Sequence, residues 1–353
     1  FGLVLAHPLL LFVNNPFTLR LLNVFTAPWR AKAAVVATLL LIVLVLMSVW
    51  RKQLEIAYEP WHWAHDILSI LICGLALYHI LEVNYYTAVP AQRILWIVFA
   101  VAWGVMIVYT RLVRPWMMVQ RPYEVTEVKE EYGDAWTLTL KPVGHDGFRF
   151  RPGQFAWLVV WKSPFAISYH PFSFTSSGAR SDRMQFTIKE LGDWTSRIKE
   201  VPVGKQVYVD GPYGIFGPDH HEAPGYVLIA GGSGSAPVMS MLRTFADRGD
   251  DRPLKFFYGN WKWETIIYRD QLAQLEDQLN LDVIHCLEEP PDDWDGETGF
   301  VTRELLDRHL DADRMEYQYF ICGPLLMIDN VERALKELGI PSDHIHSEKY
   351  EMA

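Results

Sequence analysis

The chemistry of this sequence opens on two histidines. His65 and His79 lie fourteen residues apart in WHWAHDILSILICGLALYHILEV, residues 61–83. On an α-helix fourteen steps of about 100° fall roughly 40° short of four turns, so both imidazoles leave the same face, ~21 Å apart along the axis. The run between them, Ile67–Leu81, is apolar enough for a hydrocarbon core of about 30 Å. A single histidine there reads equally well as a satisfied polar residue in a helix–helix contact. Two in phase at this separation fit ligands for two haem irons stacked across a bilayer. His62, seventeen residues before His79, points about 100° away and reads as interfacial, with Trp61 and Trp63.

Three further stretches carry chemistry. GGSGSAP (231–237) follows the apolar run YVLIA and precedes a helical pattern. Glycines there let backbone approach a phosphate, and a helix amino terminus presents free N–H groups to it. Cys322-Gly323-Pro324 ends another apolar run and belongs at the carboxyl edge of the same sheet, although Cys322 also reads as a small buried hydrophobe. In HPFSFTSS (170–177), Ser173 and Thr175 are candidate donors to a flavin ring. His170, together with Lys189 of KELGDWTS (189–196), can meet diphosphate charge. Gly192, Asp193, Trp194 and Thr195 offer backbone amides and a hydroxyl to phosphate.

The elements that must position these groups follow from hydropathy and punctuation. The chain has 353 residues, half of them hydrophobic and 21% charged, with the apolar excess in the first third. A net charge of −10 without a basic cluster excludes a nucleic-acid partner. Cys73, Cys286 and Cys322 have no paired spacing, so neither a disulfide framework nor a zinc site is expected. Leu3–Val13 reads as the end of a membrane helix, in a chain whose amino-terminal part is expected to be missing. A loop covers 14–32. Ala33–Trp50 is eighteen residues without a charge, a transmembrane span. The His65/His79 helix is a second and Ile94–Tyr109 a third. Arg51-Lys52 and Arg111, Arg114 and Arg121 flank ends separated by two spans, which puts both ends on the cytoplasmic side. From Pro122 short strands with Gly/Pro turns predict an antiparallel β-barrel. From about 224, strands at 226–232, 254–258, 282–286 and 319–322 alternate with helical patterns, which predicts a parallel sheet with crossover helices. The acidic stretch 288–299 reads as a solvated loop. The expected fold class is therefore multidomain, with a helical transmembrane bundle (1–115), a β-barrel domain (120–223) and a Rossmann-like α/β domain (224–353).

RPGQF, HPFSFTSS, GDWT, DGPYG, GGSGSAP and ICGP, in that order, resemble the flavin and pyridine-nucleotide domains of the ferredoxin–NADP reductase superfamily. HPFS with GDWT, and the YEPWHWAH…H helix, resemble more narrowly its NADPH oxidase and ferric reductase branch. The resemblance implies FAD on the barrel, NADPH or NADH on the Rossmann-like sheet, and two b-type haems. It places the flavin motif on His170, Pro171, Phe172 and Ser173, with Ser173 bonding the isoalloxazine. It places diphosphate on Lys189 and Gly192–Thr195, and the nucleotide loop on Gly232, Gly234 and Pro237. Cys322, with Gly323 and Pro324, falls near the nicotinamide, and Tyr350 where an aromatic shields the flavin. Ser173, Cys322 and Tyr350 are thus the expected catalytic set. His65 and His79 match haem ligands of one helix, and His7 a ligand of another, facing His79. The partner of His65 falls before residue 1. Trp261 stands where an arginine for the 2′-phosphate is common, with Lys262 or Arg269 as substitutes, and three residues follow Tyr350.

The resemblance further implies electron flow from cytosolic NAD(P)H through FAD and the haems to an acceptor across a plasma or inner membrane. Two axial histidines leave iron no open position, so the acceptor is reduced at the haem edge. Oxygen, giving superoxide, and ferric chelates both suit that, with oxygen favoured. A haem-binding anchor or sensor, and a flavin reductase merely tethered by helices, are the other readings.

Overall fold

The computed structural model describes residues 1–23, 25–85, 87–166 and 168–349. The chain forms two compact units, Phe1–Pro115 and Trp116–Ala353.

The first unit is helical: α1 (Gly2–Asn14), α2 (Trp29–Val49), α3 (Tyr58–Val83) and α4 (Pro90–Val108), the last continuing through a π turn (Tyr109–Val113) into α5 (Arg114–Val119). Among the described residues, three segments, Trp29–Val49, Tyr58–Val83 and Pro90–Val119, are long and apolar enough to cross a membrane. α2 starts four residues before the uncharged run does. Lys32 is accommodated by laying its ammonium over the Trp29 ring, 4.6 Å from the centroid, as a long cationic side chain does at an apolar boundary. The expected loop 14–32 is accordingly shorter and contains a 3-10 helix, Pro16–Leu22.

α2 buries Ala31, Ala33 and Ala37, with Leu44 further along, and the small alanines let a neighbouring helix come close. That neighbour is α3. The pair is pinned at both ends: Trp61 Nε1 donates to Ser48 Oγ at 3.3 Å, and His79 Nδ1 lies 2.8 Å from Arg30 O. Asp66 is neutralised by Arg111 of the π turn, at 2.7 Å, as a carboxylate among apolar helices requires. His62 is not simply interfacial. Its ring is turned toward Asp66, with Nδ1 3.9 Å from the carboxylate.

The second unit contains two sheets. The first is antiparallel, built from β1 (Tyr123–Glu131), β2 (Ala135–Pro142), β3 (Phe155–Val159), β4 (His170–Ser173), β5 (Met184–Lys189) and β6 (Gln206–Tyr213), in the order β4-β3-β6-β1-β2-β5. Its edge strands β4 and β5 also approach each other, which brings the sheet near the barrel the sequence predicts. Alternate residues, among them Leu138, Leu140, Phe186 and Ile188, fill its core.

The second sheet is parallel throughout: β7 (Tyr226–Gly231), β8 (Leu254–Asn260), β9 (Leu281–Leu287), β10 (Glu297–Thr298), β11 (Gln318–Gly323) and β12 (Ile345–Lys349), in the order β10-β9-β8-β7-β11-β12. Along β7, Tyr226, Leu228 and Ala230 join the core that holds α6 (Ser235–Arg248) and α7 (Arg269–Glu276). Val227 and Ile229 join the core that holds α8 (Arg303–His309) and α9 (Leu325–Glu337). β10 and β12 are additions to the predicted strands. Both lie at sheet edges and are too polar to show a buried-strand pattern.

The loop after β4 grips α6. Ser240 Oγ donates to Ser176 O and Gly178 N to Thr244 Oγ1, both at 2.8 Å. Arg180 pairs with Asp247 at 3.0 Å, and Arg243 donates to Thr175 O.

His285, on β9 opposite Tyr258, is drawn down to a pKa of about 4, first by burial and then by the nearby Arg269 charge. The unfolded chain therefore takes up this proton at higher pH than the folded one. Its contribution to stability is present above about pH 6.5 and is lost as pH falls toward 4. Chemical denaturation of the full chain is expected to show about 2 kcal/mol less stability at pH 5 than at pH 7.5 from this group. His285→Phe is expected to remove that portion of the slope.

Candidate functional site

The order of the parallel sheet turns back between β7 and β11, and in such sheets ligands bind outside the carboxyl ends at that point. Both strands end there in glycine. A Cβ on Gly234 would stand 2.2 Å from Cys322 O, and one on Gly323 3.1 Å from Gly231 N. Only glycine allows this approach. Gly232 takes φ +52, and a Cβ on it would meet nothing within 4 Å. The backbone here faces open space ahead of α6, where its unpaired N–H groups lie.

A polar network supports the turn from beneath. Tyr258 Oη lies 2.9 Å from Ser235 Oγ and 3.1 Å from Gly232 O, and Ser235 Oγ donates to Gly232 O at 2.8 Å. Burial pushes the Tyr258 phenol well above its ordinary pKa, so it serves as a fixed donor. Asn260, at the end of β8, is 7% exposed, and its buried Nδ2, on the side of the Tyr258 phenol, makes no full hydrogen bond among the described residues. A buried amide left unpaired costs free energy, and a ribose or phosphate oxygen would relieve it. This crevice fits a nicotinamide dinucleotide. Pro237 is buried in the first turn of α6. Cys322 is fully buried beneath the turn, and Pro324 caps α9. Sequence reasoning missed Tyr258 and Asn260. The available signal was a polar residue closing the apolar strand LKFFYGN.

On the antiparallel sheet, β4 runs beside β3 with Trp157 opposite Pro171 and Phe155 opposite Ser173. Strand alternation places His170 and Phe172 on one face and Pro171 and Ser173 on the other. The His170 ring stacks on Trp194 at 4.1 Å, and Phe172 stacks on the same indole at 5.5 Å. HPFS and GDWT, separate in sequence, therefore meet in a ladder of flat rings. Such a ladder fits the flat ring of a flavin, which favours offset stacking. Ser173 is buried in the same strand, and Lys189 ends β5 just before the GDWT turn.

Two expected donors are differently used. Thr175 is fully buried, with Thr187 Oγ1 3.5 Å from its hydroxyl. Thr195 Oγ1 accepts from Leu191 N and Gly192 N, at 2.9 and 3.0 Å. It closes the turn that holds Trp194 rather than projecting from it. Gly192 and Asp193 are exposed. Tyr350 lies outside the described residues.

Residues 123–216 match the FAD-binding domain family, and residues 228–333 match the oxidoreductase NAD-binding domain family. The chain carries FAD-binding and NAD-binding oxidoreductase domains of the ferredoxin–NADP reductase type. It is 31% identical over 237 residues to the reductase component of propane 2-monooxygenase from Mycolicibacterium goodii, covering 64% of this chain and 66% of that protein. It is 33% identical over 175 residues to NADH-cytochrome b5 reductase 1 of Lodderomyces elongisporus, covering 49% of this chain and 58% of that protein. The chain thus spans less than two thirds of these relatives. Among solved structures, the ferredoxin reductase in carbazole 1,9a-dioxygenase superposes with a TM-score of 0.56 at 25% identity, over 65% of this chain and 69% of that one. The FAD/NAD-binding domain of nitric oxide dioxygenase from Vibrio cholerae shares the fold, with a TM-score of 0.58 at 21% identity, over 65% of this chain and 98% of that one. The two sequence relatives and the first of these structures are named as reductases. They support the broad resemblance to flavin- and pyridine-nucleotide-binding domains and not its narrower oxidase branch.

Two substitutions separate the two sites. Trp194→Ala removes the ring that His170 and Phe172 share and is expected to weaken flavin retention about ten-fold, read from the flavin content of purified protein. Gly234→Ala forces Cys322 backbone away and is expected to lower the efficiency of flavin reduction by NAD(P)H at least ten-fold with flavin content kept.

Proposed function

We propose that this chain is the electron-transfer part of a multi-pass membrane oxidoreductase that carries electrons from cytoplasmic NAD(P)H, through FAD and two b-type haems, to an acceptor on the far side of the membrane. When bound, FAD takes up the two electrons of a hydride and releases them singly to a one-electron carrier such as haem. The residues divide the work. The Gly231–Gly234 turn holds the nucleotide phosphates. His170, Phe172 and Trp194 orient the flavin, with Lys189 and the Gly192–Thr195 turn toward its diphosphate, while the ring-donor role of Ser173, on the other face of β4, rests on the resemblance alone. His65, His79 and His7 would hold the haem irons. Cys322 underlies the nicotinamide end of the crevice.

The observation that carries the haem reading is the His79 contact. A carbonyl oxygen can only accept, so the 2.8 Å contact with Arg30 O puts the proton on Nδ1 and leaves Nε2 a lone pair for a metal. That second hydrogen bond fixes tautomer and ring orientation, as haem- and metal-ligating histidines require. His65 is held on the same continuous helix, ~21 Å away along its axis. His7 is exposed on α1, so that ligand rests on the resemblance. The acceptor we favour is oxygen, yielding superoxide, with ferric chelates as the alternative. A membrane-tethered flavin reductase without haem is the second reading, favoured by the names of the relatives.

An absorption spectrum of the detergent-purified protein tests this. Paired Soret and α bands that shift on reduction are expected, and their absence leaves the tethered reductase. His79→Leu is expected to lower haem content by one equivalent with FAD unchanged. Full haem retention in that variant would overturn the assignment. Superoxide and ferric reduction rates, measured side by side, identify the acceptor.

A further inference from the structure

We propose that this chain selects NADH over NADPH, and that Glu289 is the selecting residue. The inference rests on reading the β7–β11 crevice as the nucleotide site and concerns its outer end. β8 is the strand beside β7 on the side away from β11. In sheets of this order, the groups that follow the second strand meet the ribose of the adenosine half. A carboxylate there accepts from the 2′-hydroxyl, and a free arginine there accommodates a 2′-phosphate.

The residues at this place are Asn260, Trp261 and Lys262 at the end of β8, with Glu288 and Glu289 after β9. The parallel pairing continues past both strands: Glu288 N donates to Asn260 O at 3.1 Å and Glu289 N to Trp261 O at 2.8 Å. Glu289 is thereby fixed opposite Trp261. Its carboxylate forms an ion pair with Lys262, whose Nζ is 3.3 Å away, and the neighbouring Trp261 indole and Lys262 together hold it below the usual carboxylate range. The Lys262 ammonium also lies over the Trp261 ring, 4.5 Å from its centroid. Asn260, whose Nδ2 makes no full hydrogen bond among the described residues, stands next along the same strand.

Lys262 is the cation nearest to this point along β8, and Glu289 already neutralises it. Arg269 is turned elsewhere: it donates to Trp263 O and lies over the Tyr132 and Trp263 rings. A 2′-phosphate brings about −1.5 to −2 charges at neutral pH. Placed here it would face a carboxylate and would have to break the Lys262–Glu289 pair to find a partner. A 2′-hydroxyl donates to that carboxylate and leaves the pair intact. The carboxylate is thus a repulsive element against one nucleotide and an acceptor for the other, as selection between near-identical ligands requires.

The test is anaerobic reduction of the FAD-loaded full chain, followed at the flavin absorbance with NADH or NADPH varied. The wild-type chain is expected to favour NADH by at least about ten-fold in apparent second-order rate constant, the scale of one charge-assisted hydrogen bond. Glu289→Gln frees Lys262 and is expected to shrink that preference by roughly ten-fold, by raising the NADPH rate and lowering the NADH rate. Lys262→Met, with Glu289 kept, is expected to lower the NADPH rate further and to change the NADH rate by less than about three-fold. Both side chains are largely exposed, and flavin content verifies that each variant is folded. Faster reduction of the wild type by NADPH, or an unchanged ratio in a folded Glu289→Gln variant, would overturn the selection while leaving the nucleotide site standing. Failure of both nucleotides to bleach the flavin would overturn the site and the selection together.

Discussion

The approach of β7 to β11 at their carboxyl ends is the contact on which the catalytic unit depends. Backbone meets backbone there, with Gly234 against Cys322 O and Gly323 against Gly231 N. The missing side chains leave room for a phosphate and let α6 start directly over it. The sheet order makes the crevice, glycine keeps it open, and the Tyr258–Ser235–Gly232 network holds the turn in shape. Larger residues at these positions would not merely block a ligand. They would separate two central strands of the sheet.

The antiparallel half works by a different rule. Its candidate surface is made of rings, with Trp194 shared between His170 and Phe172. Thr195 spends its hydroxyl on the turn that presents the indole. One sheet therefore presents open backbone at its crevice, and the other presents aromatic faces.

Much of this was legible in the residues. The uncharged run 33–50, the YVLIAGG strand and the glycine-rich turn after it declare themselves through hydropathy and punctuation, because burial on both faces leaves little choice of side chain. β12 did not, since Ile345–Lys349 is an edge strand with a polar sequence. Nor did the roles of Thr175 and Thr195, because a hydroxyl's partner is set by tertiary placement. Asn260 and Glu289 were invisible as a pair of neighbours. One ends β8 and the other follows β9, and only the register of β8 on β9 brings the chain after one beside the chain after the other. In the helical unit the spacing of His65 and His79 was evident, but the carbonyl that holds the second ring belongs to Arg30 on another helix.

The grip of the β4–β5 loop on α6 has a mechanical consequence. That loop is the direct continuation of the strand bearing His170–Ser173, and α6 is the helix whose first turn faces the nucleotide crevice. Ser240, Thr244 and Asp247 fasten one to the other along the later turns of the helix. Strand, loop and helix thus form a single strut with an aromatic cradle at one end and an anion cradle at the other. The hydrogen bonds and the ion pair along this path tie the placement of one end to that of the other.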